Sequence, residues 1–162
     1  MIIANMSEVI NRLIDGDYTV ATAESCTGGM IASTIVDVPG ASDCFNEGYI
    51  TYSNEAKMKN LGVKDSTLMA HGAVSVETAT EMAKGVRAKA KSDFGLSSTG
   101  IAGPGGGSPK KPVGLVYIAC AYGDNKCVVK ELHLKGNRTT VRENATKEAL
   151  LLLEKCIYKV EE

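Results

Sequence analysis

The chain has 162 residues, 44% of them apolar and 23% charged, with a formal net charge of −1. This length and apolar content predict one folded domain with a buried core and argue against disorder. The near-neutral charge argues against a nucleic-acid groove, and no apolar stretch resembles a membrane span or a signal peptide. We therefore expect a soluble, cytoplasmic protein without a nucleic-acid or membrane partner.

Cysteine and histidine, the usual ligands of structural and catalytic metals, are few and irregularly spaced. The five cysteines form no C-x-x-C pair and are odd in number, which favours neither a disulfide framework nor a zinc site. His71 and His133 are the only histidines, and His133 is expected at the surface of a strand. We expect no metal and no cofactor, and a hydrolase of this composition is expected to use a base other than histidine.

The N-terminal half alternates helical and strand-like patterns. Ser53 is a typical N-cap, and Gly62 is a typical helix stop. The elements predicted here are a helix over residues 4–15, a strand at Tyr18–Glu24, a helix over 28–37, a turn at Val38–Ala41, a strand at Glu47–Tyr52 and a short helix, "NEAKMKNL".

The C-terminal half predicts a helix, three strands and a last helix. Ser75 caps the first helix, whose small apolar residues recur at helical spacing, and Gly123-Asp124-Asn125 is typical of a hairpin turn. The segment "GLSSTGIAG" predicts a strand that runs into a glycine loop, and "VGLVYIACAY" and "CVVKELHL" predict two further strands. The last helix is expected to bury Val141, Ala145, Ala149, Leu152 and Cys156. Strands interleaved with helices predict an α/β sheet covered on both faces, and the hairpin makes that sheet mixed.

The segment "TVATAESCTGG" places Ser25 and Cys26 at a strand end, just before Gly28 and Gly29. Ligands of open α/β sheets bind at the carboxyl ends of strands, and N–H groups at the following helix can stabilise an oxyanion. The residues alone leave two questions open. The segment could be a plain strand-to-helix turn, and a cysteine thiolate is intrinsically the better nucleophile.

Three further segments suggest a site. Lys57 follows Tyr52 on a short helix, and a desolvated lysine can act as a base, although an exposed helical lysine such as Lys59 is the commoner case. The loop "STGIAGPGGG" could wrap an anion or a sugar but matches neither a Walker A loop nor a dinucleotide fingerprint. Arg138 and Arg142 share one face at a helix start, where a phosphate would relieve their conflict with the helix dipole. On spacing alone, two exposed arginines without a ligand are an equally good interpretation.

Together these segments resemble the CinA C-terminal-domain family, whose stand-alone members are nicotinamide-nucleotide amidases of the PncC type. The resemblance spans Thr22 to Leu150 in the family's order and spacing. It is carried by "TAESCTGG", "FNEGYITYSNEAKMKNLGV", "HGAVSVETATEMAKG", "STGIAGPGGGSPKKPVGLVYIA" and "GNRTTVRENATKEAL".

The resemblance implies a three-layer α/β/α sandwich with a mixed sheet, forming a single domain over residues 1–162 without the N-terminal domain of larger members. It implies hydrolysis of nicotinamide mononucleotide to nicotinic acid mononucleotide and ammonia, and a homodimer. The alternatives are a non-catalytic nucleotide-binding module of the same fold and a purely structural partner domain.

Carried over residue by residue, the family's nucleophile falls on Ser25, its lysine base on Lys57 and a supporting hydroxyl on Tyr52. Backbone N–H groups at Thr27, Gly28 and Gly29 are expected to hold the oxyanion, as in Ser-Lys variants of the catalytic triad. The residues expected to bind the nucleotide are Thr99, Gly100, Ala102, Gly103, Gly105, Gly106, Arg138 and Arg142, with one of the arginines on the 5′-phosphate.

Overall fold

The computed structural model describes residues 6–162 as six α-helices and five β-strands. A 3-10 turn at Ala41–Asp43 precedes the second strand. The elements in chain order are α1 (Met6–Asp15), β1 (Val20–Glu24), α2 (Met30–Val36), β2 (Phe45–Ile50), α3 (Asn54–Leu61), α4 (Asp65–His71), α5 (Val76–Ala90), β3 (Phe94–Gly100), β4 (Leu115–Tyr122), β5 (Lys126–His133) and α6 (Arg138–Glu161).

The five strands form one mixed sheet in the order β2-β1-β3-β4-β5. Strands β2, β1 and β3 are parallel, whereas β3, β4 and β5 are antiparallel neighbours. Glu24, the last residue of β1, pairs with Ile50 on one side and with Ser98 on the other. The carboxyl ends of three strands therefore meet at one edge, which is where the candidate catalytic segments begin.

Helices cover both faces of the sheet, which gives the predicted three-layer α/β/α sandwich. The larger core cluster joins the buried faces of α1, α2 and α6 to one sheet face, through residues such as Leu96 and Ile118. On the other face, α5 packs its small side chains against β1 and β4, as Ala83 does against Ala119. Val86 of α5 and Leu61 of α3 extend this second core toward the edge strand β2.

Most predicted elements are confirmed, with shifted ends. Ser53, Ser75 and Asn137 accept hydrogen bonds as N-caps of α3, α5 and α6, and Gly62 ends α3 in the left-handed region. The predicted helix over 28–37 begins later, at Met30, because Gly28 and Gly29 have φ values of 57° and 104° and cannot be its first turn. The predicted start at residue 4 lies outside the described residues.

Helix α4 was not predicted from the sequence. It has seven residues, of which only Leu68 is buried, so no helical stripe of apolar residues marks it. Along residues 6–162, no helix is long and apolar enough to cross a membrane.

Candidate active site

Ser25 is the first residue after β1 and opens a tight turn into α2. Its N–H donates to the carbonyl of Ser98 on β3 at 3.0 Å, and its carbonyl accepts from the N–H of Gly28 at 3.1 Å. The side chain is nearly buried, with the residue 7% exposed. Because successive side chains alternate at a strand end, Ser25 and the preceding Glu24 turn to opposite faces of the sheet.

Lys57 lies in the first turn of α3 and reaches back beneath the end of β2. Its Nζ lies 3.1 Å from Oγ of Ser25, 2.9 Å from the carbonyl of Thr51 and 3.3 Å from the carbonyl of Tyr52. The residue is 1% exposed, and no carboxylate is among these contacts. Burial without a counter-ion lowers the pKa of Lys57 to about 8.

The three oxygen neighbours of Nζ match both protonation states of the amine. An ammonium can donate to all three oxygens. A neutral amine has two N–H donors for the carbonyls of Thr51 and Tyr52 and one lone pair that can accept from the Ser25 hydroxyl. The arrangement therefore aims the lone pair at the one neighbour with a proton to give.

Cys26, the alternative nucleophile, is in a different environment. It is 5% exposed and belongs to the apolar core beside α2 and α6. Burial raises the pKa of its thiol to about 11, so the thiolate is scarce near neutral pH. Geometry and ionisation together favour Ser25 over Cys26, a choice that the residue types alone left open.

The predicted oxyanion donors are only partly available. The N–H of Gly28 donates to the Ser25 carbonyl, and the N–H of Gly29 donates to the carboxylate of Glu24 at 3.2 Å. Within residues 6–162, the backbone N–H groups of Cys26 and Thr27 have no acceptor. This corrects the expected set, because the Glu24 carboxylate occupies the positive end of α2 that was expected to serve the oxyanion.

Tyr52 lies beside the pair, but its hydroxyl does not contact Lys57. The residue is 61% exposed, and its hydroxyl accepts a hydrogen bond from Arg138 at 3.1 Å. Arg138 also donates to the carbonyl of Gly103 at 2.9 Å. Tyr52 supports Lys57 through its main-chain carbonyl, and its side chain joins Arg138 at the surface.

The two predicted phosphate-binding arginines differ in their surroundings. Arg142 is half-buried, and its guanidinium donates to the carbonyls of Cys26 at 2.9 Å and Thr27 at 3.1 Å. It therefore braces the turn that carries Ser25. Arg138 is exposed and bonded to the glycine loop and Tyr52, which leaves it closer to a ligand approaching from solvent.

The glycine loop divides into a buried and an exposed part. Thr99 is buried and donates from its hydroxyl to the carbonyl of Ala73 at 2.8 Å, and Ala102 packs into the larger core. Gly100 closes β3. Gly103 is buried with a φ of 82°, and the remaining predicted loop residues, Gly105 and Gly106, are exposed.

Sequence reasoning missed the roles of Glu24, Thr51 and Ser98. Glu24 was visible as the one charged residue of a strand expected to be buried, a position where burial demands partners. The carbonyl of Thr51 and the hydroxyl of Ser98 carry no comparable sequence signal. Along residues 6–162, no group of three His, Cys, Asp or Glu side chains is placed to hold a metal ion.

Comparison with known proteins gives a consistent family. The model of the CinA C-terminal domain matches residues 3–157. A competence-damage inducible protein of Caldanaerobacter subterraneus subsp. tengcongensis is 63% identical over 138 residues, and a CinA-like protein of Kosmotoga olearia is 56% identical over 142. These alignments cover 85% and 88% of this chain but 33% and 34% of the relatives, so the chain spans about a third of their length.

Solved structures agree over nearly the whole chain. The competence/damage inducible protein CihA of Agrobacterium tumefaciens is 38% identical with a TM-score of 0.88, and the alignment covers 96% of both chains. A CinA superfamily protein of Escherichia coli is 34% identical with a TM-score of 0.90, covering 96% of this chain and 90% of that one. The chain therefore belongs to the CinA C-terminal domain family.

Proposed function

We propose that the protein is an amidohydrolase that deamidates nicotinamide mononucleotide to nicotinic acid mononucleotide and ammonia. The observation that carries the proposal is the 3.1 Å contact between Nζ of a buried Lys57 and Oγ of Ser25. A lysine serving only as a structural cation would be expected beside a carboxylate or in solvent. Burial lowers the pKa of Lys57 to about 8, and within residues 6–162 the Ser25 hydroxyl is the only side chain that its Nζ bonds.

In the proposed reaction, neutral Lys57 accepts the Ser25 proton while Oγ attacks the carboxamide carbon. The C–N bond of the resulting tetrahedral species then breaks, and the proton on Lys57 is delivered to the departing ammonia. A water molecule, deprotonated by the same amine, cleaves the ester on Ser25 and restores the free hydroxyl. Lys57 therefore serves as the acid and the base in every proton transfer of the proposed reaction.

The oxyanion of this reaction is assigned to the backbone N–H groups of Cys26 and Thr27. Both follow the nucleophile directly and have no acceptor within residues 6–162. Arg142 holds the carbonyls of the same two residues, so the orientation of their peptide groups is set from α6. Pre-oriented donors stabilise a developing charge without reorganisation when the reaction occurs.

The nucleotide's phosphate is assigned to Arg138. Its guanidinium is exposed, lies next to the exposed Tyr52 ring and is anchored on Gly103 of the glycine loop. Exposed glycines at 105 and 106 let the backbone approach a ribose or phosphate closely. The choice of substrate comes from the family resemblance. The positions of Arg138 and the exposed glycines are consistent with an anionic group that binds near Ser25 and Lys57.

The test is release of ammonia by purified protein from nicotinamide mononucleotide, with nicotinic acid mononucleotide measured in the same sample. We expect the two products in equal amounts and a much lower rate with nicotinamide riboside, which lacks the phosphate. Thermal stabilisation by the mononucleotide without ammonia would instead support a non-catalytic binding module. If the mononucleotide causes neither ammonia release nor thermal stabilisation, it is rejected as the ligand.

A further inference from the structure

A buried carboxylate lies directly before the nucleophile, on the opposite face of the sheet from Lys57. The residue, Glu24, is 1% exposed, and its Oε1 accepts from the hydroxyl of Thr27 at 2.6 Å. The carboxylate also accepts from three backbone N–H groups at the start of α2, at distances of 3.2, 2.9 and 3.0 Å. Those donors belong to Gly29, Ile31 and Ala32.

Thr27 connects this carboxylate to the central strand β3. Its Oγ1 lies 2.7 Å from Oγ of Ser98. A threonine hydroxyl has one hydrogen, and a carboxylate only accepts, so Thr27 donates to Glu24 and accepts from Ser98. Ser98 also accepts the Ser25 N–H through its backbone carbonyl. One residue of β3 thus holds the nucleophile's turn at two points.

We propose that Glu24 is a positioning residue for Ser25, acting through Thr27 and through the first N–H groups of α2. The turn from Ser25 to Gly29 has a left-handed stretch at its end and no helical hydrogen-bond ladder of its own. Glu24 is the side chain that bonds both Thr27 in the middle of this turn and Gly29 at its end, whereas Arg142 and Ser98 reach only as far as Thr27 among the described residues. The network fixes where Oγ stands relative to Nζ of Lys57.

The negative charge of Glu24 also suits its position at the start of α2. The N-terminus of a helix attracts anions, and a carboxylate there is stabilised by the exposed N–H groups and the helix dipole. Because Glu24 already accepts from the N–H groups of Gly29, Ile31 and Ala32, those donors are not free for an oxyanion formed on Ser25. The assignment rests on the proposed function only in taking Ser25 as the nucleophile, and it requires no particular substrate.

A fluorophosphonate probe tests the inference without relying on the nucleotide. Ser25 Oγ attacks phosphorus, an O–P bond forms, the P–F bond breaks, fluoride leaves and the proton passes to Lys57. The rate constant of this labelling, measured well below the unfolding midpoint, reports the placement of Oγ in folded protein. The experiment compares three variants with wild type. Thr27→Val removes the hydroxyl, Thr27→Ser keeps it, and Glu24→Gln removes the charge of the carboxylate.

We expect Thr27→Val and Glu24→Gln to slow labelling by about tenfold or more, since a misplacement of about 1 Å can cost about 100-fold. Thr27→Ser should label near the wild-type rate, and adding Glu24→Gln to Thr27→Val should lower the rate less than it does alone. The matched control is Thr34→Val on α2, which also removes a hydroxyl bond, here to the carbonyl of Met30 at 2.7 Å.

The control should label within about twofold of wild type, as expected for additive, remote sites. Labelling of Thr27→Val and Glu24→Gln at the wild-type rate would overturn the inference, even if both variants melt at lower temperature. A wild-type protein that never labels at Ser25 would overturn it together with the proposed function. Normal labelling with no ammonia from the mononucleotide would reject the substrate and leave the role of Glu24 supported by the variants.

Discussion

Nζ of Lys57 lies 3.1 Å from Oγ of Ser25, and both residues are almost fully buried. The pair joins the ends of two neighbouring parallel strands, because Ser25 follows β1 and Lys57 follows β2 by one helical turn. The other hydrogen-bond partners of Nζ are the main-chain carbonyls of Thr51 and Tyr52. This isolation from carboxylates distinguishes the lysine from a structural cation and makes its ionisation the variable that controls the proposed reaction.

The rate of the proposed reaction should rise with pH. The pKa of Lys57 is lowered to about 8 by burial, and only the neutral amine can accept the Ser25 proton. Turnover should therefore increase through pH 8 and level off above it, following the fraction of neutral lysine. A pH profile of kcat/KM measures this, because it reports the ionisation of the ligand-free protein, and a value that falls across the same range would contradict a lysine base.

The same lowered pKa predicts a pH dependence of stability. An unfolded lysine titrates at about 10.4, so between about 8 and 10.4 the unfolded state binds more protons and the free energy of unfolding gained from Lys57 rises with pH. Above pH 9 the raised pKa of the Cys26 thiol acts in the opposite direction. From pH 7 to pH 9, the melting temperature of Lys57→Met should therefore rise less than that of wild type. An equal rise in both proteins would indicate that the pKa of Lys57 is not lowered.

Lys57→Arg separates a base from a simple cation. Arginine keeps the charge but does not lose its proton in proteins, so this variant should be nearly as inactive as Lys57→Ala. The matched control is Lys59→Ala, which removes an exposed lysine from the same helix and should leave the rate close to that of wild type. Substantial turnover by Lys57→Arg would make Lys57 an electrostatic binder and would remove the Ser-Lys mechanism.

Replacing the two arginines of α6 should change different kinetic constants. Loss of Arg138 should raise KM for the mononucleotide and spare the riboside, by roughly the 1.5–3 kcal/mol of a charge-assisted bond. Loss of Arg142 should lower kcat for both ligands, because its guanidinium holds the carbonyls of Cys26 and Thr27. Steady-state kinetics of Arg138→Ala and Arg142→Ala with both ligands measure these effects. If each variant weakens the mononucleotide and the riboside equally, neither arginine of α6 binds the phosphate.

Treatment with EDTA should leave turnover unchanged. The proposed steps assign every proton transfer and the oxyanion to side chains and backbone of this chain, so removal of divalent ions removes nothing they need. The control is enzyme passed through the same buffer exchange without chelator. Activity that disappears with EDTA and returns with added zinc or magnesium would contradict this assignment.

The sequence predicts the layers of the fold well because hydrophobic periodicity and caps report them directly. Ser53 and Ser75 mark helix starts by local hydrogen bonds that depend on few distant contacts. Helix α4 was missed because one buried residue in seven produces no periodic signal. The late start of α2 depends on the φ values of two glycines, which sequence pattern does not report.

For the site, the sequence predicts the reacting side chains better than what surrounds them. Ser25 and Lys57 lie in segments whose spacing is characteristic of the family. By contrast, the use of the Gly29 N–H by Glu24, and of the Tyr52 hydroxyl by Arg138, depends on which way side chains turn once strands and helices pack. Such choices are tertiary, so the oxyanion donors and the role of Tyr52 could be assigned only from the structure.

The most direct test of the central claim compares Ser25→Ala with Cys26→Ala under identical conditions. The measurement is ammonia released from nicotinamide mononucleotide by protein shown to be folded. We expect Ser25→Ala to lose turnover by several powers of ten, as for other activated nucleophiles, whereas Cys26→Ala should keep most of it. An active Ser25→Ala enzyme beside an inactive Cys26→Ala enzyme would contradict Ser25 as the nucleophile and assign that role to the Cys26 thiol.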